Sequence, residues 1–281
     1  MYSRIFVPLD GSPLSEQVLP YVRLVAKALQ LPIELMHAFS PVPEELADPQ
    51  HGLYIDQLAT TFREQAHEKL HPIEASLQDS GFAVSTTVRE GDAASRIVDE
   101  VDTQPDTLIA MSTHGRSGIG RWVMGSVTDK VLHATTSPMM IIRSRPEESF
   151  VSEVKLNSVI VPLDGSSHAQ SILPHVSTLA KGLGSKIILT RVTSSSDSSL
   201  DPAAYLSQIS EGLRREGISS LEEQLLHGDV SDTIVNLTHQ IEDNLVAVTT
   251  HGHSGVKHWL GSITDRIVNH AGGPVLVCRC D

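Results

Sequence analysis

A chain of 281 residues is long enough for one large domain or two of ordinary size. With 40% hydrophobic and 20% charged residues, it has the composition of a globular protein able to bury a core. A net charge of −13 argues against nucleic acid or an anionic membrane as partner, since both attract basic surface, and no segment reads as a signal peptide or membrane span.

The chain opens on a strand, Tyr2 to Leu9, that ends in Val7-Pro8-Leu9-Asp10-Gly11-Ser12. The same six residues return as Val161-Pro162-Leu163-Asp164-Gly165-Ser166 after a second strand, Asn157 to Leu163. An aspartate at the tip of a first strand stands where open α/β sheets bind ligands, and its carboxylate could take ribose hydroxyls. Asp-Gly-Ser before Pro13 also reads as a turn and helix cap. Both readings stay open.

Leu14, Val18, Tyr21, Val22, Val25 and Leu29 then mark one helix face, copied by Ile172, Val176, Leu179 and Leu183. Pro20 and Pro174 fall inside these helices and should kink or break them. Second strands follow at Ile33 to Phe39 and Lys186 to Val192. After a proline-containing loop comes a long helix, about Asp56 to Gln78; its counterpart, Asp201 to Glu216, is shorter and follows a serine-rich run, 194–199, that reads as a mobile loop. Third strands (Phe82 to Val88, Ser219 to Leu226) each lead to a Gly-Asp step and a helix.

The fourth strand, Thr107 to Met111, enters the most distinctive stretch of the chain, Thr113-His114-Gly115-Arg116-Ser117-Gly118-Ile119-Gly120-Arg121-Trp122-Val123-Met124-Gly125-Ser126. A helix follows through Val127-Thr128-Asp129, with Ser126 at or near its N-cap. Strand, glycine-rich loop and helix start together form an anion cradle, since glycine lets the backbone approach closely and helix N-terminal amides favour phosphate. The pattern recurs from Thr250 through His251-Gly252-His253-Ser254-Gly255 to Gly261-Ser262, after the apolar strand Leu245 to Val248. Fifth strands begin at Pro138 and Pro274. The alternation of strands and helices, run twice, predicts two doubly wound parallel sheets, with residues 1–145 and 157–281 as domains and 146–156 as a polar linker. Cys278 and Cys280, two apart on the last strand, have poor disulfide geometry and read as packing residues in a reducing cytoplasm.

Pro-Leu-Asp-Gly-Ser after strand one, Thr-His-Gly-Arg-Ser-Gly after strand four, and Gly-Ser-Val-Thr-Asp before the last helix together resemble the universal stress protein family, in its tandem two-domain form. The resemblance implies a five-stranded Rossmann-like sheet of order 3-2-1-4-5 per domain, with helices on both faces. It further implies an internal pseudo-dimer through the last strands, a homodimer beyond that, and ATP, with or without Mg²⁺, as cofactor. By the same resemblance, Pro8, Leu9 and Asp10 match the strand-one motif and Ala38 the position whose backbone recognises adenine. Ser112 stands at the leading glycine of the family's loop, with His114, Gly115, Arg116, Gly125, Ser126, Val127 and Thr128 along the phosphate loop. In the second half Asp164, Val192, Gly252, Gly261 and Ser262 match.

The halves differ. Nine residues separate Gly115 from Gly125, as in the family's nucleotide-binding branch, but eight separate Gly252 from Gly261. One residue fewer in a helical turn rotates the Gly-Ser step by about 100° relative to the loop. Thr249, β-branched, stands where the family has its leading glycine. The expectation is therefore nucleotide binding chiefly in the first half.

Competing motifs carry less. His67-Glu68-Lys69-Leu70-His71 matches the His-Glu-x-x-His zinc pattern, but Pro72 follows at once and the second half has no counterpart. His114 and His251 either touch phosphate or a metal or satisfy loop backbone groups. Neither loop is a Walker A, a Rossmann Gly-x-Gly-x-x-Gly or a nucleophile elbow. No general base for hydrolysis stands out, Asp129 and Asp265 being as well explained as first-turn helix residues. Two function classes remain, an ATP-binding stress or signalling module and a non-binding interaction module of the same fold, with slow ATP hydrolysis as a weaker third.

Overall fold

The computed structural model describes residues 2–40, 52–113, 124–144, 153–193, 201–251 and 261–280, without the side chains of 52–56, 251 and 280. The centres of both glycine loops, the serine run at 194–199 and most of the linker lie outside the described residues.

The first half runs β1 (Arg4–Pro8), α1 (Pro13–Glu16), α2 (Leu19–Leu29), β2 (Ile33–Phe39), α3 (Gly52–Asp79), β3 (Val84–Glu90), α4 (Ala93–Asp102), β4 (Thr107–Ser112), α5 (Ser126–Ala134) and β5 (Met139–Ile142). The second repeats it as β6 (Ser158–Pro162), α6 (Ser167–Gln170), α7 (Leu173–Leu183), β7 (Lys186–Thr193), α8 (Pro202–Arg215), β8 (Leu221–His227), α9 (Val230–Gln240), β9 (Asn244–His251), α10 (Ser262–His270) and β10 (Val275–Cys280). Within each half the strands pair in parallel, as expected from the alternation of elements, and in the order 3-2-1-4-5 that the resemblance implies.

The halves join through their last strands. β10 runs antiparallel to β5, with Leu276 opposite Met140, and the result is one ten-stranded sheet. Side chains alternate across it. Val7, Leu35, Leu108, Val161 and Leu189 face α2, α3, α7 and α8, while Phe6, Met36, Ile109, Ile160 and Val246 face α4, α5, α9 and α10. Each apolar layer takes residues from both halves, and α2 packs directly on α7.

The proline positions show how local chemistry sets boundaries. In place of one kinked helix stand two, and Pro20 and Pro174 lie in the first turns of α2 and α7. A first-turn amide has no intrahelical acceptor, so proline costs nothing there. α2 ends at Gln30 and α7 at Gly184, both left-handed. The third strand of each half starts two residues later than the apolar pattern suggested, at Val84 and Leu221. In α3, Ala66, Leu70, Ile73 and Leu77 face the core, leaving His67, Glu68 and His71 exposed on the opposite side.

Candidate functional site

A cavity of about 240 Å³ opens at the carboxyl ends of β1, β2 and β4, where the first half's strand order reverses. Pro8, Leu9 and Asp10 line it from the end of β1, Met36 and Ala38 from β2, and Met111, Ser112 and Thr113 from the end of β4. Ser15, Ala93 and Ile97 contribute from the helices, and Gly125, Ser126, Val127 and Thr128 from the start of α5. Its lining mixes apolar side chains such as Met36, Ile97 and Met111 with polar ones such as Asp10, Ser126 and Thr128, the usual make-up of a small-molecule site.

Asp10 is held in a tight turn. Its Oδ1 accepts the Ser12 amide at 2.9 Å, and the Ser12 hydroxyl in turn accepts the Ser15 amide at 3.2 Å as the N-cap of α1. Turn chemistry and placement on the cavity wall therefore coexist at one residue. Burial, then the neighbouring Asp10 carboxylate, push the Glu16 carboxyl above its ordinary range. Beneath the turn, on the other face of the sheet, buried His37 bonds the Leu9 carbonyl through Nδ1 at 2.8 Å.

The start of α5 forms the opposite wall. Gly125, with extended backbone (φ −61°, ψ 145°), is the N-cap, and Ser126, expected at or near that position, is the first helical residue. Among the described residues, no side chain caps this end. The first intrahelical bond is Asp129 N–H to Gly125 O (2.9 Å), so the amides of Ser126, Val127 and Thr128 precede the helical ladder. Such amides, with the helix dipole behind them, suit an anion.

The root of the glycine loop is clasped. The Gly125 amide donates to Thr113 O at 2.6 Å, and the Thr128 hydroxyl donates to Ser112 O at 2.9 Å. A third bond comes from the other half, where Asn269 Oδ1 accepts the Met124 amide at 3.1 Å.

Of the expected site residues, the structure brings Pro8, Leu9, Asp10, Ala38, Ser112, Gly125, Ser126, Val127 and Thr128 to one cavity. His114, Gly115 and Arg116, and Gly252 in the second half, lie outside the described residues. Asp164 follows β6 in the matching turn, accepting the Ser166 amide (2.9 Å) and hydroxyl (2.6 Å). Burial pushes its carboxyl up, but the Ser166 bonds and the Arg191 guanidinium outweigh that and hold it below the ordinary range. Val192 sits on β7 against the α9 side of the core, Gly261 caps α10, and Ser262 is exposed on its first turn.

The second loop is rooted differently. Thr264 Oγ1 donates to Thr249 O at 3.1 Å, repeating the Thr128–Ser112 bond. The next carbonyl, Thr250 O, is bonded by the ring Nε2 of His168 from α6 at 2.9 Å, whereas its first-half counterpart takes the glycine amide.

A sequence model described as "Universal stress protein family" matches residues 1–143 and again 155–279. The chain belongs to the universal stress protein family. A universal stress protein of Mycolicibacterium smegmatis is 22% identical to it, across 98% of this chain and 96% of that protein. One from Methanocaldococcus jannaschii is 24% identical over 53% of this chain and 86% of its own length. Among solved structures, a universal stress protein from Archaeoglobus fulgidus superposes with a TM-score of 0.79 at 23% identity, covering 99% of both chains. At that identity the likeness speaks for the fold, here the tandem universal stress protein fold from end to end.

Ser15, Met36, Ala93, Ile97, Met111 and Thr113 were not singled out as site residues from sequence. Ala93 had a usable signal, because it follows the Gly91-Asp92 step that opens α4 at the sheet's carboxyl edge.

Proposed function

We propose that the first half binds an adenine nucleotide, ATP with or without Mg²⁺, and that the protein acts in stress response or signalling through nucleotide-dependent conformation and partner binding. The observation that carries this reading is a single cavity that joins the strand-one aspartate, the small residue on β2 and the uncapped start of α5. At about 240 Å³ it is below the roughly 300–1,000 Å³ of drug-sized sites, which suits enclosure of base and sugar with the phosphates reaching out along the loop. In this pose Ala38 leaves room for adenine, Asp10 takes ribose hydroxyls, Ser112 narrows the sugar pocket, and the Ser126–Thr128 amides take phosphate. His114, Gly115 and Arg116 complete the loop side of the proposal. Local amides hold the anion in a chain whose net charge of −13 repels it.

For the second half the non-binding reading is favoured. Thr249, the shortened loop and the His168 bond to Thr250 O each separate its loop root from the first-half pattern. It serves there as scaffold and interaction module. The buried thiol of Cys278, which is in no disulfide, suits the reducing, cytoplasmic setting expected from sequence.

Calorimetric titration of ATP with Mg²⁺ into protein freed of carried-over nucleotide tests the proposal. One site per chain is expected. Asp10→Ala should weaken it about tenfold to a hundredfold, as for loss of charge-assisted hydrogen bonds, and Ala38→Leu should abolish it by filling the cavity. Two sites would return the second half to the binding class. An absence of heat with ATP, ADP and adenosine alike would overturn the nucleotide reading.

A further inference from the structure

We infer that Asn269, in the second half, is a positioning residue for the first-half loop, and that through it the two halves share one nucleotide site. The inference rests on the nucleotide reading above for its ligand, and on its own geometry for the contact.

Asn269 lies on the last turn of α10, the helix that begins at the second half's own loop. Its Nδ2 donates to the Asp265 carbonyl (2.9 Å) and to the Asp265 carboxylate (3.0 Å). Two acceptors on one side fix the orientation of the amide, because a flipped group would set oxygen against oxygen. Oδ1 is thereby aimed across the junction, where it accepts the Met124 amide at 3.1 Å. Met124 is 8% exposed and packed in the apolar layer shared by both halves. It directly precedes Gly125, the N-cap of α5 on the cavity wall.

The consequence for the site is direct. The Gly125 amide is committed to Thr113 O, and the neighbouring Met124 amide is committed to Asn269. Together these bonds orient two successive peptide units, the one ending in the Met124 amide and the one ending in the Gly125 amide, and so the direction in which the chain enters α5. A second bond across the junction, Arg279 Nη1 to His133 O at 2.6 Å, ties the other end of α5 to β10. α5 is thus held at both ends by the second half. From Ser262 to Asn269 α10 spans about 10 Å as a rigid rod, so a shift at the second half's loop reaches Met124.

The chemistry at position 269 differs between the halves. His133 occupies the equivalent place on α5 and turns its Nδ1 back to Asp129 O at 2.7 Å. The carboxamide that reaches across is particular to the second half.

The test uses the full chain with Asn269→Ala and Asn269→Asp. The alanine removes both sets of contacts. The aspartate loses the donor to Asp265 but keeps an acceptor for Met124. Two measurements are made: amide exchange at Met124 in the nucleotide-free protein, read by NMR, and ATP affinity by calorimetry. Asn269→Ala should speed exchange and weaken ATP about tenfold each, the worth of one neutral hydrogen bond, while Asn269→Asp, which keeps the acceptor but sets a second oxygen against the Asp265 oxygens, falls between alanine and wild type in both. Equal effects of the two substitutions would assign the role to the Asp265 contacts within α10 and overturn the inference, as would unchanged exchange in Asn269→Ala. Should the alanine variant fail to fold, Asn269→Ser, too short to reach Met124, takes its place with the same expectations. If wild-type protein binds no ATP but the exchange pattern holds, the nucleotide reading fails and the cross-half positioning of the loop stands.

Discussion

Asp92 caps α4 by accepting the Ser95 amide (3.1 Å) and hydroxyl (3.0 Å), so a single carboxylate organises the helix that lines the cavity with Ala93 and Ile97. The Ser95 amide, then its hydroxyl, hold that carboxyl below its ordinary 3.8. Asp92→Ala should cost about 1 kcal/mol of stability at pH 7, the usual worth of an N-cap. A depressed carboxylate contributes its stability above the unfolded value and loses it as pH falls below. The gap between wild type and Asp92→Ala in urea midpoint should therefore close as pH is lowered from 5 toward 2. His175 works in the opposite chemical sense with the same sign. Burial holds its ring below 6.5, and the Tyr2 hydroxyl bonds its Nδ1 at 2.8 Å, joining the start of the first half to α7 of the second. The unfolded chain takes up this proton first as pH falls, so stability should drop from about pH 6.5 downward. His175→Gln should flatten that part of a thermal-melt profile, and a profile unchanged by the substitution would remove His175 as its source.

At the scale of elements, the order of strands and helices was legible because each element carries its own signal: apolar runs for the strands, spaced apolar faces for α2 and α7, turn residues between them. The cavity was legible where its residues stand in repeated motifs or match family positions. Pro8, Leu9, Asp10, Gly125 and Ser126 stand in motifs that appear twice, and the resemblance placed Ala38 and Ser112. Met36, Ile97 and Met111 are unremarkable members of apolar strands and a helix, and only the register decides that they face the cavity. Asn269 was out of reach altogether, since its partner lies 145 residues away in the other half. Register also gives sharp expectations. Gly273 precedes β10 with its Cα pressed on the Asn244 backbone, and a Cβ there would fall well inside contact distance of the Asn244 carbonyl oxygen. Gly273→Ala should lower stability by about 1–3 kcal/mol, the range for overpacking a tight site, measurable as a fall in urea midpoint with unchanged slope. An alanine tolerated without loss would mean that the 271–274 turn relaxes freely.

The whole molecule is one sheet with an apolar layer on each side, and both layers cross the junction between the halves. Equilibrium unfolding should accordingly be a single transition, with calorimetric and van't Hoff enthalpies in agreement. Two resolved transitions would show that the halves are energetically separate despite the shared sheet. The β5–β10 junction has a further consequence. In a homodimer built on a two-fold axis, every substitution at the interface appears on both sides at once, so neither side can specialise. Tandem fusion lifts that constraint while making the pairing independent of protein concentration. Position 133 carries a histidine while position 269 carries an asparagine, and one loop is a residue shorter than the other. Covalent linkage thus turns a symmetric contact into one whose two sides can evolve separately.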